Sequence, residues 1–225
     1  MPSIPPITTL TRKEIDWLYL HKCKRHGSRY ITHYSCLHGD TNSKEKIGVL
    51  DIETTGFKSD WDITLSYAIL ELGTKNIFGR VLTKEEITNK DEDKKLIKEC
   101  ILDMRKFDRL VTFYGSMFDL PFLRGRAEMY GLKNFPVFGE ISGTDLYWTV
   151  KNRFKFSRKS LGVTCKNLGI AAKGHQMYPE QWKGARRGDF KALNFVWTHN
   201  KEDVVSTGAL YERVSKYARK TNTSI

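Results

Sequence analysis

The segment Ile47-Gly-Val-Leu-Asp-Ile-Glu-Thr-Thr-Gly56 contains a compact run of strand-forming residues that ends in two carboxylates. Residues i and i+2 of a β-strand point to the same face, so we expect Asp51 and Glu53 to leave the strand end together. Val49 and Leu50 precede them as core residues, which places the pair at the edge of a hydrophobic sheet. Two carboxylates this close repel each other unless a cation or proton intervenes. Such oxygen ligands suit Mg²⁺ and similar cations, although an Asp-x-Glu pair at a strand end is also an ordinary structural feature.

Two further acidic positions follow later in the chain. The run Tyr114–Leu123 comes directly after a predicted strand and places Asp119 near the start of a helix. His199 and Asp203 are four residues apart and share one face if a helix includes both. Taken singly, each position is equally typical of a helix cap or a solvated charge cluster. Their combination with the first carboxylate pair is what favours a functional site.

The order of strand and helix signals predicts the fold class. The predicted strands cover residues 47–53, 63–72, 76–82, 110–113 and 136–141, and the predicted helices cover 91–107, 120–131 and 203–218. Three strands followed by strands that alternate with helices predict an α/β fold, with a mixed β-sheet flanked by helices. This main domain spans residues 47–225, and residues 1–46 form a short N-terminal accessory segment.

The accessory segment has its own composition. A proline-rich lead and a short predicted helix at 12–19 precede a stretch rich in His, Cys, Lys and Arg. There, Cys23-Lys-Arg-His26 and His33-Tyr-Ser-Cys36 form a mirrored pair of Cys-x2-His and His-x2-Cys motifs. Two thiolates and two imidazoles satisfy tetrahedral zinc, so these four residues predict a Zn²⁺ site, which His21 and His38 flank. The alternative is a histidine-rich basic arm that touches nucleic acid.

Charge and composition restrict the class of partner. The chain has 38 Lys and Arg against 26 Asp and Glu, a formal net charge of +12. An excess of this size favours an anionic polymer such as DNA or RNA, because counterion release drives the association, although an uninvolved basic surface is the alternative. No apolar run approaches the roughly 20 residues that span a bilayer, and the start lacks the features of a secretory signal. We therefore expect a soluble cytoplasmic protein without a membrane partner, whose four cysteines are reduced thiols or metal ligands.

One basic stretch is the best candidate for gripping a nucleic acid. In Lys151–Lys159, basic residues interleave with Phe154 and Phe156. Basic side chains bind phosphates, and an exposed aromatic ring can stack on a base, although both rings are equally compatible with the core. The predicted nucleic-acid-binding residues of this stretch are Lys151, Arg153, Lys155, Arg158 and Lys159. The run Lys183–Arg187 extends the basic surface.

In combination, the acidic motifs resemble those of the DEDD (DnaQ-like) superfamily, the proofreading-type 3′→5′ exonucleases with a ribonuclease H-like fold. Asp51–Gly56 looks like the first motif, and His199–Asp203 looks like the third. Tyr114–Leu123, with the trailing Arg126-Ala127, is similar to the second motif of family B polymerase exonuclease domains.

The resemblance is closer still to predicted ribonuclease H-like nucleases of the YprB type. Those proteins carry stretches similar to Ser160–Gly169 and to Asn200–Val204. The similarity covers roughly Lys46 to Arg219 and leaves only the accessory segment unexplained.

The resemblance implies a nuclease that depends on two Mg²⁺ or Mn²⁺ ions and removes nucleotides from a 3′ end. Asp51 would bridge the ions, Glu53 and Asp203 would complete one, and Asp119 would hold the other. The small residues Thr54 and Thr55 would let the nucleic-acid backbone approach. Two alternatives are a structure-specific endonuclease on the same fold and a nucleic-acid-binding module that has lost catalysis.

The third motif departs from the superfamily pattern. His199 would act as general base, yet it precedes the motif's aspartate by the spacing of members that carry tyrosine there. Histidine is well suited to deprotonating water near neutral pH, but this spacing puts the role in question. Asp145, at the end of the last predicted strand, would either support the site or act as a strand-end cap.

Overall fold

The computed structural model describes residues 9–23, 27–34, 36, 45–137, 139–171, 177–218 and 225. The strands are β1 (Ile47–Thr54), β2 (Thr64–Glu71), β3 (Ile77–Val81), β4 (Arg109–Thr112) and β5 (Ser142–Asp145). The helices are α1 (Arg12–Leu20), α2 (Lys84–Thr88), α3 (Lys94–Met104), α4 (Asp119–Met129), α5 (Leu146–Arg153), α6 (Leu161–Asn167), α7 (Pro179–Arg186) and α8 (Phe190–Val214). Short 3₁₀ turns lie at Tyr30–Thr32 and Ser215–Tyr217.

The five strands form one mixed sheet in the order β3-β2-β1-β4-β5. The first three strands pair antiparallel, whereas β1 with β4 and β4 with β5 pair parallel. The prediction of an α/β fold with a mixed sheet flanked by helices is confirmed. Strand β1 is central and lies between an antiparallel neighbour, β2, and a parallel neighbour, β4.

Hydrophobic side chains cover both faces of the sheet. Leu50 and Ile52 belong to a core shared with α3 and α4, whereas Val49 belongs to a second core shared with α5 and α8. This alternation follows from the two-residue period of a strand. Because Asp51 and Glu53 have the parity of Val49, both carboxylates lie on the α8 side.

Two predicted elements have different bounds in the structure. The predicted strand at 136–141 is wrong, since Val137 and Glu140 close a turn and β5 starts at Ser142. The apolar side chain of Ile141 that suggested a strand is buried without pairing in the sheet. The last helix begins at Phe190, well before the predicted residue 203, because the Asp189 side chain caps it by accepting from Ala192 N at 2.8 Å.

The described part of the accessory segment has a small cluster of its own. Helix α1 starts with a capping box between Thr11 and Glu14. Leu18, Cys23 and Tyr30 are buried together, apart from the two cores of the sheet. None of the helices in the described ranges has the length and apolar character needed to cross a membrane.

Candidate active site

The site begins with the two carboxylates of β1. Asp51 and Glu53 are partly buried, and they pair across the strand with Ala68 and Ser66 of β2. Helix α8 packs over this face of β1 and β2. The sequence predicted that both side chains would project to one face, and the strand geometry places them there.

Helix α8 brings a histidine and a third carboxylate to the strand. His199 Nε2 lies 3.8 Å from Glu53 Oε1 and 3.9 Å from Asp203 Oδ2. One ligand atom from each of these three residues falls within 4.8 Å of the others, and no other such group of three or more potential ligands exists among the described residues. Two carboxylate oxygens and an imidazole nitrogen form a donor set that can hold a divalent cation.

A buried asparagine connects α8 to the remaining strand carboxylate. Asn200 Nδ2 donates to Asp51 Oδ2 at 2.7 Å, and Ser66 Oγ donates to Asn200 Oδ1 at 3.0 Å. The amide is fully buried, so both of its ends need such partners. Asn200 lies in the quoted stretch Asn200–Val204, but no role was predicted for it. Its position directly beside His199 was the available signal.

The fourth carboxylate comes from the start of α4. Asp119 is only 5% exposed, and its Oδ1 accepts a hydrogen bond from Ile52 N at 3.0 Å. Strand β4 pairs with β1 only as far as Val49 and Val111, so this carboxylate binds β1 beyond the last strand pair. The N-cap of α4 is Phe118, which means that Asp119 is the first helical residue and not the cap. Asp119 therefore binds the peptide between the two β1 carboxylates.

Burial changes the protonation of Asp119. The pKa of its carboxyl is raised from 3.8 to about 7, mainly by desolvation and also by the negative charges of Asp145 and Asp203. Hydrogen bonds from the backbone N–H groups of Ile52 and Asp119 act in the opposite direction. A carboxylate in this position is stabilised in its charged form by a nearby cation, which fits the metal-ligand role.

Asp145 holds the loop that leads to Asp119. Its Oδ1 accepts from Tyr114 N at 2.8 Å and from Tyr147 N at 3.0 Å, and its Oδ2 accepts from Ser116 N at 3.1 Å. Tyr114 has a φ of 68°, a left-handed conformation that these contacts help to maintain. Asp145 is the last residue of β5, and its side chain both caps α5 and holds the loop that leads to Asp119, while its role in supporting the site stays a prediction.

The two threonines after Glu53 shape the loop that follows β1. Thr54 Oγ1 donates to Gly56 O, and Thr55 Oγ1 donates to Asp62 Oδ1 at 3.2 Å. The same loop exposes two large aromatic side chains for which the sequence predicted no role, Phe57 at 84% and Trp61 at 82%. Their position next to the first acidic motif was the signal that could have identified them.

The basic stretch lies on the surface, but its rings do not. Phe154 and Phe156 stack with their centroids 5.4 Å apart and pack against the core shared with α8. The flanking charges are exposed, except for the partly buried Lys159; these residues are Lys151, Arg153, Lys155 and Arg158. Lys183, Arg186 and Arg187 are also exposed, on α7 and at its end. The stretch therefore presents its charges to solvent, while its phenylalanines are half-buried against the core.

The predicted zinc ligands are only partly described. Cys23 is buried, and Cys36 Sγ lies 3.7 Å from His33 Nδ1. His26 falls outside the described residues, so the full set of four cannot be compared with a tetrahedron. The zinc site stays a prediction.

A family model for the RNase H superfamily matches residues 49–215, which is most of the chain. The chain belongs to the RNase H superfamily. The match includes all four acidic residues of the site and confirms the ribonuclease H-like resemblance drawn from the motifs.

Similarity to solved and curated proteins agrees with this family. The RNase H superfamily chain superimposes on the family B DNA polymerase of the hyperthermophilic archaeon Pyrobaculum calidifontis with a TM-score of 0.62 and 17% identity, over 77% of this chain and 25% of that one. A DNA polymerase of Methanocaldococcus jannaschii is 34% identical over 59 residues, which cover 24% of this chain and 4% of the relative. This RNase H superfamily chain therefore spans only a small part of either polymerase, and the structural likeness establishes the fold.

Proposed function

We propose that this RNase H superfamily protein is a metal-dependent nuclease that hydrolyses phosphodiester bonds. The observation that carries the proposal is the convergence of carboxylates from three separate elements on one strand end. Asp51 and Glu53 come from β1, Asp119 from α4 and Asp203 from α8. Four acids brought together in this way would repel one another and the substrate unless cations neutralised them.

The donor set fits divalent metal ions. Asp51, Glu53, Asp119 and Asp203 would together hold two ions, with Mg²⁺ or Mn²⁺ as the ions that oxygen ligands favour. Such ions supply Lewis-acid stabilisation of the phosphate and activation of water. The hydrogen bond from Asn200 holds the Asp51 carboxylate in one orientation, and the Ile52 peptide does the same for Asp119.

His199 is the candidate proton acceptor. Its Nε2 lies between the carboxylates of Glu53 and Asp203 at distances beyond direct hydrogen bonding, which leaves room for a small ligand between them. A neutral imidazole there would orient a water molecule and accept its proton during attack on phosphorus. The neighbouring carboxylates would stabilise the imidazolium that forms.

The substrate is proposed to be DNA or RNA with a free 3′ end, digested in the 3′→5′ direction. The similarity to polymerases supports a nucleic-acid substrate, and the net charge of +12 favours a polyanion. Exposed cations of the basic stretch and the loop of Thr54 and Thr55 would contact the strand on either side of the carboxylates.

A degradation assay on DNA and RNA labelled at the 5′ or 3′ end tests the proposal. We expect cleavage with Mg²⁺ or Mn²⁺, none in EDTA, early release of the 3′ label and protection by a 3′-phosphorothioate cap. Asp51→Ala and Asp119→Ala should abolish cleavage, whereas Asp60→Ala removes an exposed acid nearby and serves as the matched control. Cleavage that continues in EDTA or in both site variants would refute the assignment, and nicking of a closed circle would indicate an endonuclease.

A further inference from the structure

A cavity of about 580 Å³ lies beside the sheet, between α5, the loop before α4 and the carboxyl-terminal residues. Its wall includes Leu110 of β4 and the edge strand β5, together with Trp148, Thr149 and Arg153 of α5. None of the metal-ligand candidates lines it, nor does His199. Its volume is in the range of small-molecule sites, which are about 300–1,000 Å³. The cavity is therefore a second concave site, separate from the carboxylate edge.

Flat aromatic surface is the first feature of this cavity. Trp148 is 37% exposed and Tyr217 is 48% exposed, and both line the wall. The indole N–H of Trp148 donates to Ser116 Oγ at 3.1 Å, which fixes the orientation of the ring. A ring held in this way is suited to stack on a planar ligand such as a nucleobase.

Positive charge is the second feature. Arg153 ends α5 at the cavity and forms no ion pair with any residue of the described ranges. Lys151 Nζ lies 4.7 Å from the centre of the Trp148 ring and adds a second cation nearby. The acidic residue of the wall is Asp145, whose two oxygens already accept from the 114–116 loop and the start of α5. This wall suits an anionic group close to a planar one.

Polar groups complete the wall. Asn152 and Thr149 line the cavity, and among the described residues neither side chain has a hydrogen-bond partner. An amide and a hydroxyl beside an aromatic ring provide the donors and acceptors that the edge of a base or a ribose requires. No single one of these groups specifies a ligand, but a guanidinium without an ion-pair partner in the described ranges, an amide and two rings on one cavity together suit a nucleotide.

We propose that this cavity binds a nucleotide unit, with its phosphate on Arg153 and its base against Trp148 and Tyr217. The unit is either a free nucleotide or one residue of a strand, since both present the same chemistry. Ser116 also lines the cavity, next to Trp148, and would contact the bound unit. Ser116 belongs to the loop that leads to Asp119. The site is distinct from the proposed catalytic edge and does not depend on metal.

Calorimetric titration of the full chain with AMP in EDTA tests this site. Without metal, the carboxylate edge repels phosphate, so we expect one AMP to bind per chain at the cavity. Adenosine and inorganic phosphate should each bind at least about 10-fold more weakly, because each lacks one of the two contacts. Competition by the oligonucleotide (dA)₆ would assign the site to a strand, and its absence would assign the site to free nucleotides.

Two variants locate the binding within the cavity. Arg153→Gln should weaken AMP binding by about 10-fold or more, since a neutral glutamine cannot form a charge-assisted hydrogen bond with the phosphate. Asn152→Trp fills the cavity from an exposed helical position that should not affect folding, and it should remove binding. Arg213→Gln removes the same charge from an exposed position outside the cavity and is the matched control.

The outcomes separate this site from the proposed nuclease. AMP that binds equally well to all three variants, or that binds only after Mg²⁺ is added, would overturn the proposal. AMP binding in EDTA that survives Asp119→Ala would support it, whether or not the protein cleaves nucleic acids.

Discussion

Asn200 Nδ2 donates a hydrogen bond of 2.7 Å to Asp51 Oδ2 and thereby joins helix α8 to the central strand of the sheet. The same amide accepts from Ser66 Oγ on the neighbouring strand at 3.0 Å. With both ends of the amide engaged, the orientation of the Asp51 carboxylate is set before any metal binds. Loss of a partner of this kind typically lowers metal affinity or activity by about 10–100-fold.

Replacing Asn200 should therefore weaken metal-dependent cleavage. We expect Asn200→Leu to lower the rate at limiting Mg²⁺ by about 10–100-fold and to raise the Mg²⁺ concentration needed for half-maximal rate. Ser66→Ala leaves the bond to Asp51 in place and should have a smaller effect. The measurement is cleavage rate against Mg²⁺ concentration, with thermal unfolding in EDTA to verify folding. An unchanged Mg²⁺ dependence in folded Asn200→Leu would contradict the orienting role.

The raised pKa of Asp119 predicts a specific pH dependence of stability. Because the folded-state pKa is about 7 against an ordinary value of 3.8, the folded protein binds more protons than the unfolded chain between these limits. The free energy of unfolding of the metal-free protein should then fall as the pH rises from about 4 to 7, by at most about 4 kcal/mol from this group.

Asp119→Asn provides the comparison for this effect. The variant cannot ionise at this position, so it should be more stable than the unsubstituted protein at pH 8 and about as stable at pH 4. Saturating Mg²⁺ should stabilise the unsubstituted protein at pH 8 more than the variant, because the variant lacks one of the carboxylate ligands. Urea unfolding in EDTA and in Mg²⁺ at both pH values gives the answer; parallel pH profiles for the two proteins would rule out the predicted contribution.

His199 is expected to act in the chemical step and not in substrate binding. His199→Ala should lower kcat strongly while leaving the Kd for a substrate strand nearly unchanged, and the rate should fall on the acid side, where imidazole is protonated. His199→Tyr should keep partial activity, given the tyrosine-type spacing to Asp203. Single-turnover rates between pH 6 and 8 provide the measurement. A wild-type rate in the alanine variant over this range would leave His199 with a structural role only.

The loop after β1 is held by close packing against α4. A Cβ at Gly125 would collide with Ser59 Oγ, and Arg126 Nη1 donates to Ser59 O at 3.1 Å. We expect Gly125→Ala to displace the loop that carries Phe57 and Trp61, and so to raise KM for a single strand several-fold with less change in kcat. Ser59→Gly removes the colliding atoms and should restore KM in the double variant. A double variant no better than Gly125→Ala would show that the loop does not transmit the effect.

Zinc in the accessory segment is tested by elemental analysis of protein purified without a metal-affinity tag. About one zinc per chain is expected if Cys23, His26, His33 and Cys36 are ligands. Binding would supply folding free energy on the order of 10 kcal/mol to this small segment. The variant Cys23→Ser/Cys36→Ser should lose the zinc and bind nucleic acid less tightly, while the carboxylates of the candidate active site remain intact. Zinc-free native protein would leave the segment as a basic arm.

The sequence determined the strand end of the site because a two-residue period and a core are local properties. The amino-acid sequence itself shows that Leu50 and Ile52 point to one face of β1 and Val49 to the other. The same alternation places Asp51 and Glu53 together on the face of Val49. Asn200 and Ser66 could not be paired in this way, since their contact joins residues 134 positions apart. The start of β5 was missed for a related reason, because apolar residues buried in a turn have the composition of a strand.

The alternation along β1 also has a consequence for how the chain finds its native pairing. If β1 slipped by one residue against β2, Asp51 and Glu53 would turn into the layer occupied by Leu50 and Ile52. Two uncompensated charges in that layer would cost far more free energy than the slipped hydrogen bonds could recover. The acids proposed for catalysis thus also help to specify the register of β1. The slipped sheet would lose the site, and the same two acids make that sheet unstable.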